Sequence, residues 1–149
     1  MDLKYADLEN EIIAELEKAQ NIVFATCADN HVTARTMCHV NDGLDIMFGT
    51  VGGSVKTQQI RKNPNVALVS GSLQIEAAAE IAGHPTKNRR YMELNDVKFP
   101  WMKDAFPFDP NDGGVLVVCH PTKITLYKYL DGEAHWDVLY AGDKKAVRI

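Results

Sequence analysis

The segment FGTVGGSVKTQQIRKNP, which begins at Phe48, combines residue types that can bind an anion. Gly52 and Gly53 permit close backbone approach and unusual dihedral angles. Ser54 is placed to cap a helix, whose N-terminus carries unpaired N–H groups and a partial positive charge. Lys56 adds a full charge in the first turn. The pattern is typical of a phosphate site, but a simple helix cap beside a solvated lysine would give the same pattern.

A second basic residue strengthens the phosphate interpretation. Arg35 lies in the middle of TARTM, within an otherwise apolar stretch that is typical of a strand. The turn at residues 41–43 predicts a hairpin that pairs this strand with LDIMFGT, which would bring Arg35 close to Thr50. Arg35, Thr50, Ser54 and Lys56 are therefore predicted to converge on one anionic group. The segment lacks the GxxxxGK[ST] spacing of a Walker A loop, which argues against hydrolysis of nucleoside triphosphates.

Other chemistry has little support in the sequence. The five histidines include no HExxH and no tight pair, and the three cysteines include no CxxC. We therefore expect neither a metal site nor a disulfide framework. No Ser–His–Asp set and no carboxylate pair can be recognised from spacing, so the catalytic residues are unknown at this stage.

Composition restricts the class of protein. The chain has 149 residues and a net charge of −4, with charges of both signs. A nucleic-acid-binding protein would normally carry a basic face, so nucleic acid is not an expected partner. No apolar run reaches 18 residues and the N-terminus is too acidic for a signal peptide, so no membrane association is expected and the predicted location is cytoplasmic. Residues 1–149 are predicted to form a single domain.

Periodicity predicts a mainly β protein with flanking helices. Six or seven antiparallel strands, joined largely by hairpins, suggest a closed or nearly closed β-barrel. The predicted strands are residues 21–28, 31–40, 44–50, 66–71, 73–83, 115–120 and 123–131. The predicted helices are residues 7–20, 54–62 and 85–94. Residues 99–114 are predicted to form a connection rich in proline and aromatic residues, and residues 133–149 remain unassigned.

Together these motifs resemble a known family. The order of Arg35, Phe48-Gly49-Thr50, Ser54-Val55-Lys56, Asn63-Pro64 and the strand at residues 66–69 is similar to the FMN-binding split barrel of the pyridoxamine 5′-phosphate oxidase-like superfamily. The resemblance extends from about Ala25 to Val69, and more weakly through LQIEAAAEIAG. The second half of the chain is similar to the general-stress and nitroimidazole-resistance branches of that superfamily.

The resemblance implies a homodimer that binds two FMN molecules at the subunit interface. It assigns the FMN phosphate to Arg35, Ser54 and Lys56. The remaining contacts that it implies are to the isoalloxazine ring or the ribityl chain, and Gln74 and Trp101 would come from the second subunit. These contacts are Thr36, Met37, Phe48, Gly49, Thr50, Gln74 and Trp101.

Departures from the family pattern limit the activity that the resemblance implies. Val55 replaces the middle basic residue of the S-R-K motif of pyridoxamine phosphate oxidases, and the C-terminus lacks their Arg-Leu-x-Pro segment. Vitamin B6 phosphate is therefore not the expected substrate. The resulting prediction is an FMN-dependent oxidoreductase that acts on an unidentified small molecule or on NAD(P)H. Two alternatives stay open: an FMN-binding stress sensor or flavin reservoir without turnover, and a related barrel that binds haem or a deazaflavin.

Overall fold

The computed structural model describes residues 1–106 and 109–149 of the chain. Strands account for 49% of the structure and helices for 27%, which confirms the prediction of a mainly β fold. In these described ranges, one sheet contains ten strands: β1 (Asp2–Leu3), β2 (Asn21–Ala28), β3 (His31–Cys38), β4 (Val40–Asp42), β5 (Asp45–Val51), β6 (Asn65–Ser70), β7 (Leu73–Ile81), β8 (Gly114–Leu130), β9 (Glu133–Tyr140) and β10 (Lys145–Arg148).

The sheet is split where one strand changes its partner. Neighbouring strands follow the order β1-β10-β9-β8-β7-β6-β2-β3, and β5 connects β8 to β4. β3 and β4 are consecutive parts of one run of chain with only His39 between them. β3 pairs with β2, whereas β4 pairs with β5. The expectation of a closed or nearly closed barrel is therefore corrected: the sheet is not closed, because the series of pairings is interrupted at His39.

Four helices in the described part of the chain flank this sheet. They are α1 (Tyr5–Lys18), α2 (Val55–Lys62), α3 (Arg89–Lys98) and the short α4 (Met102–Ala105), and a 3₁₀ turn spans Pro85–Lys87. α1 buries Leu8, Ile12 and Leu16 on one face, as their spacing of four residues requires. None of the described helices is long and apolar enough to cross a bilayer.

The main core is formed by buried side chains of the sheet strands and of α1, which covers them. Phe24 of β2 and Phe48 of β5 meet edge to face at its centre, with ring centroids 4.7 Å apart. A second, smaller core packs α3 against β4, β5 and β8 through Tyr91, Phe99 and Leu116. Burial of side chains of this size contributes about 1.5–3 kcal/mol each. Alternate side chains of β5 therefore pack into different cores, one on each face of the strand.

Most predicted elements have the observed type, but three regions differ. The predicted strands at residues 115–120 and 123–131 form one strand, β8, which passes Pro121 at an irregularity in its pairing with β7. The predicted helix at residues 85–94 is a 3₁₀ turn followed by α3, which continues to Lys98. The unassigned tail forms β9 and β10, and residues 107–108 of the predicted connection lie outside the described residues.

A buried carboxylate holds the C-terminal strand in place. The side chain of Asp137 in β9 is only 1% exposed, and it accepts two hydrogen bonds from Arg148 of β10, at 2.7 and 2.8 Å. Lys128 of β8 lies 2.9 Å from the same carboxylate. The hydrogen bonds from Arg148 lower the pKa of Asp137, so the group stays ionised. Loss of Arg148 would leave the buried carboxylate with Lys128 as its remaining cationic partner and would release β10 from this contact.

His39 occupies the point at which the sheet divides. Its side chain is buried, and Nε2 lies 3.1 Å from the carbonyl oxygen of Leu16 in α1. Nδ1 has no hydrogen-bond partner among the described residues. Burial, together with the nearby Lys98 ammonium, lowers the pKa of His39 from 6.5 to about 4, although the Leu16 carbonyl acts in the opposite direction. The imidazole is therefore neutral at neutral pH, with Nε2–H donating to Leu16.

This buried imidazole predicts a loss of stability in acid. The folded pKa lies below the unfolded value, so the unfolded state takes up the proton first and the free energy of unfolding falls as the pH drops from about 6.5 to about 4. We expect a contribution of up to about 3 kcal/mol over that range. Urea unfolding at pH 7 and pH 4.5 should show a smaller acid loss for His39→Gln than for wild type. His31→Gln, which changes an exposed histidine, should match wild type; equal losses for all three proteins would contradict the prediction.

Candidate functional site

Arg35 lies on the side of β3 that faces α2. Side chains alternate along β3, so Arg35 and Met37 are partly buried while Thr36 is exposed. The backbone of Arg35 is paired with Phe24 of β2. The predicted pairing of the Arg35 strand with β5 is therefore wrong at this position, because β3 pairs with β2 and only residues 40–42 pair with β5.

The Arg35 guanidinium is held by a network of uncharged groups. Nη1 donates to the Phe24 carbonyl oxygen at 3.1 Å and to Thr26 Oγ1 at 2.9 Å, and Nη2 donates to Thr33 Oγ1. Both threonine hydroxyls donate to Oε1 of Gln59 in α2, at 2.7 Å for Thr33. The network connects β2, β3 and α2. It orients the guanidinium but does not neutralise its charge.

Lys56 places a second cation beside Arg35. Partial burial lowers the pKa of Lys56, and the positive charge of Arg35 lowers it further. Burial alone also lowers the pKa of Arg35. Neither side chain forms an ion pair with a carboxylate of the described residues. Two partly desolvated like charges without a counter-charge destabilise each other, so an anion bound near both would be favoured.

The first turn of α2 adds backbone donors to these charges. Ser54 occupies the cap position, but its hydroxyl makes no capping bond to the backbone. Instead it pairs with Thr57 Oγ1 at 2.9 Å, and Thr57 donates to the Val51 carbonyl oxygen at 3.0 Å. The first N–H groups of the helix therefore have no side-chain cap and point toward the helix N-terminus. The N-terminus of α2, with Lys56 in its first turn and Arg35 near Lys56, has the features of a candidate anion site.

The two glycines of the loop have different roles. Neither Gly52 nor Gly53 has a positive φ, so the expectation of unusual dihedral angles does not hold at either position. The expected close approach occurs at Gly52, whose N–H donates to the Gly113 carbonyl oxygen at 3.1 Å. A Cβ at position 52 would lie 2.6 Å from that oxygen, whereas a Cβ at position 53 would meet nothing within 4 Å. Gly52 therefore ties the loop to the start of β8.

The predicted contacts on β5 divide between the core and a cavity. The ring of Phe48 is 1% exposed and belongs to the core. Gly49 and Thr50 line a cavity of about 510 Å³. The N–H of Gly49 donates to the buried hydroxyl of Tyr91 at 3.2 Å, and burial raises the pKa of that hydroxyl to about 12. Tyr91 is therefore a neutral group that fixes one wall of the cavity.

Thr36 and Gln74 share the outer face of the sheet. The strand register places Thr36 opposite Val23, Val23 opposite Val69, and Val69 opposite Gln74, in one row across β3, β2, β6 and β7. All four side chains are exposed. Trp101 is half-exposed beside α4, where its ring contacts Phe99 edge to face at 6.2 Å. Gln74 and Trp101 thus present accessible side chains, and no described hydrogen bond joins either of them to Arg35 or Lys56.

Comparison with solved structures identifies the fold. A candidate pyridoxamine 5′-phosphate oxidase from Listeria innocua shares 25% sequence identity, with a TM-score of 0.65 over 80% of this chain and 97% of that one. The pyridoxamine 5′-phosphate oxidase-related, FMN-binding protein of Nostoc punctiforme is 10% identical, with a TM-score of 0.65 over 99% and 96% of the two chains. The chain has the fold of the pyridoxamine 5′-phosphate oxidase-like superfamily.

Other similar structures show the range of this superfamily. An F420 reductase is 25% identical, with a TM-score of 0.57 over 74% of this chain and 93% of that one. Proteins described as general stress protein 26, or as related to it, have the same fold. No family model and no curated protein sequence matches the chain. The relationship therefore rests on the fold, and the similar structures that are described by a cofactor include FMN-binding, FAD-binding and F420-reducing proteins, which suggests a flavin-type cofactor.

Several groups at the site were not predicted from the sequence. Thr26, Thr33 and Gln59 hold Arg35, yet they lie on three separate elements with no recognisable spacing. The alternation of β3 does place Thr33 and Arg35 on one face, which is the only local signal of this network. Tyr91 could not have been assigned to β5, because 42 residues separate it from Gly49.

The contact at Gly52 generates a test of the loop. Gly52→Ala should lower the free energy of unfolding by about 1–3 kcal/mol, because the added methyl group and the Gly113 carbonyl cannot both keep their positions. Gly53→Ala is the matched control and should leave stability unchanged or raise it slightly. Chemical denaturation measures both. Equal effects of the two substitutions would show that the close approach at Gly52 is not a constraint.

Proposed function

We propose that this protein binds FMN, with the FMN phosphate between Arg35, Lys56 and the first turn of α2. The observation that carries the proposal is the pair of adjacent cations without a counter-charge. Phosphate suits the site because its oxygens can accept both charge-assisted bonds from the side chains and bonds from the N–H groups of the helix. Val55 is 60% exposed and cannot add a third charged contact. The phosphate would therefore be held by two cations and the backbone.

The remainder of the cofactor has a path along β3 and β5. We propose that Met37, Gly49 and Thr50 contact the flavin ring or the ribityl chain, as the resemblance implies. Phe48 would act through its backbone, because its ring is enclosed in the core. A bound flavin supplies hydride transfer, and the protein supplies binding, orientation and electrostatics. We infer that the protein is a flavin-dependent oxidoreductase whose substrate or electron donor is a small molecule such as NAD(P)H.

FMN binding is tested by spectroscopy of the purified protein. Added FMN should bind and show a perturbed flavin spectrum, and acid release should return intact FMN. Arg35→Ala and Lys56→Ala should each weaken FMN binding by roughly 10- to 100-fold, because each removes a charge-assisted contact to the phosphate. Arg61→Ala, which changes an exposed cation on the same helix, is the matched control. Unchanged FMN affinity in the Arg35→Ala, Lys56→Ala double variant would refute the phosphate assignment.

Turnover distinguishes the oxidoreductase from the alternatives. An enzyme should oxidise NADH or NADPH in the presence of FMN and an electron acceptor. A protein that binds FMN without turnover across a panel of donors and acceptors would support the sensor or reservoir function. A protein that ignores FMN but binds the deazaflavin F420 would support the second alternative, which the similarity to an F420 reductase favours. A Soret band would indicate haem.

We further propose that the protein is a homodimer that joins through the outer face of β2, β3 and β6. Val32, Val23 and Val69 are 71%, 40% and 42% exposed on this face, and the side chains beside them include small alanines. Such an exposed apolar surface suits a second copy of the chain. The same face carries Thr36 and Gln74, so a partner placed on it would bring its Gln74 toward a site shared by the two subunits.

Sedimentation analysis tests this interface. Val69→Asp should convert the dimer into a monomer, because a carboxylate without a partner is costly to bury. Its FMN affinity should also fall, because the partner would no longer contribute to the site. Val97→Asp changes a valine that is 84% exposed on α3, outside this face, and should leave the dimer intact. A wild-type protein that stays monomeric at micromolar concentration with FMN bound would contradict the proposal.

A further inference from the structure

We propose that Gln59, acting through Thr26 and Thr33, is a positioning residue that sets which edge of the Arg35 guanidinium faces a bound phosphate. The inference rests on the proposed phosphate site, and it adds three residues to that site that do not themselves contact the ligand. Its consequence is that affinity for the phosphate of FMN depends on a buried, uncharged glutamine. The flavin ring should be bound independently of that glutamine.

The direction of the hydrogen bonds carries the first step. Oε1 of Gln59 can only accept, and both Thr26 and Thr33 donate their hydroxyl protons to it. The two threonine oxygens are thereby left with lone pairs, which accept from Nη1 and Nη2 of Arg35. Without the carbonyl of Gln59, the two hydroxyl protons would lose their common acceptor, and each hydroxyl could rotate and turn its lone pairs away from Arg35. Gln59 therefore fixes the positions and directions of the two oxygens that accept from Arg35.

The geometry of the guanidinium gives the second step. The two threonine oxygens lie 3.2 Å apart and receive bonds from different terminal nitrogens, so they occupy the Nη1–Nη2 edge. The second N–H of Nη1 is used by the Phe24 carbonyl oxygen. Of the five N–H groups, Nε–H and one N–H of Nη2 have no acceptor among the described residues. Both lie on the Nε–Nη2 edge, whose spacing fits two oxygens of one phosphate.

Burial and charge explain why a glutamine suits this position. Gln59 is 7% exposed and Thr26 is 1% exposed, so the glutamine end of the network is buried. The amide nitrogen of Gln59 donates to the His31 carbonyl oxygen at 3.0 Å, which satisfies both ends of the side chain. A glutamate here could also accept from the threonines, but its negative charge would pair with Arg35 internally. The neutral amide orients the guanidinium and leaves its positive charge available to the ligand.

Comparison of FMN with riboflavin tests the inference, because riboflavin lacks only the phosphate. Wild type should bind FMN more tightly than riboflavin, and the ratio of the two affinities measures the contribution of the phosphate. Gln59→Leu should reduce that ratio by about 10-fold or more, while riboflavin affinity changes little. Gln59→Glu should reduce the ratio at least as far. A merely structural role for Gln59 would weaken both ligands equally and leave the ratio unchanged, which would overturn the proposal.

A second variant and a matched control keep the test decisive if Gln59→Leu folds poorly. Thr33→Val removes one acceptor at a partly buried position and should also lower the FMN-to-riboflavin ratio. Thr33→Ser keeps the hydroxyl and should restore the ratio to the wild-type value. Gln58→Leu changes the exposed neighbouring glutamine, so it should leave the ratio unchanged. A Thr33→Val protein with the wild-type ratio would contradict the proposal.

NMR of the ligand-free protein separates this inference from the proposed function. In wild type, the Arg35 guanidinium should give resolved N–H resonances, because its rotation is restricted by the network. These resonances should merge in Gln59→Leu but not in Gln58→Leu. If they do not merge, the positioning role is overturned whatever the ligand. If they merge but wild type binds FMN no more tightly than riboflavin, the phosphate site is overturned, and the ligand role given to Gln59 is overturned with it.

Discussion

The architecture depends on one run of backbone, residues 31–42, that forms hydrogen bonds with two different strands. Its first part pairs with β2 and its last part pairs with β5, and the exchange takes place at His39. Because the two partners diverge, the sheet cannot close at this point. The exchange also turns the partly buried face of β3, which carries Arg35, toward α2 instead of toward β5. The position of the proposed phosphate site therefore depends on the position of the split.

The split is stabilised by burial, at an electrostatic cost. His39 remains neutral because it is enclosed beneath α1 and lies near Lys98, whose ammonium donates to the Ala19 carbonyl oxygen at 2.6 Å. Lys98 thus satisfies carbonyl groups at the end of α1, where a positive charge is favourable. The same region cannot accept a second positive charge on His39. Sheet geometry, helix capping and the protonation state of one histidine are therefore coupled.

The candidate site illustrates a second general constraint, which is that a binding charge must be oriented without being neutralised. Asp137 and Arg148 show the opposite arrangement, since their charges cancel within the fold and hold β10 in place. Arg35 is instead held by two hydroxyls and one carbonyl, and both hydroxyls donate to a side-chain amide. Lys56 adds to the unbalanced charge. A structural ion pair and a ligand-binding cation can thus be distinguished by the chemistry of their partners.

Local sequence determined much of this protein. The apolar period of α1, the β-branched runs of β2, β3 and β6, and the loop that leads into α2 act over a few residues, so the sequence predicts them directly. The order of the motifs also indicated the superfamily, which the fold confirms. The predictions of secondary structure were incomplete where an element depends on contacts with distant parts of the chain. Pro121 is tolerated within β8 because an irregularity in the pairing with β7 accommodates it. Likewise, the ion pair between Arg148 and Asp137 joins the two strands of the tail, and its partners are distant in sequence.

Only the tertiary structure decided which residues support Arg35 and which strand lies beside it. Thr26, Thr33 and Gln59 meet because β2, β3 and α2 pack together, and no sequence period spans three elements of different type. The choice between β2 and β5 as the partner of residues 31–38 depends on the relative energies of the two pairings, and the structure pairs these residues with β2. Those energies arise from contacts across the whole domain. The charged residues of the candidate site could therefore be named from the sequence. Which edge of the Arg35 guanidinium stays free was set by packing.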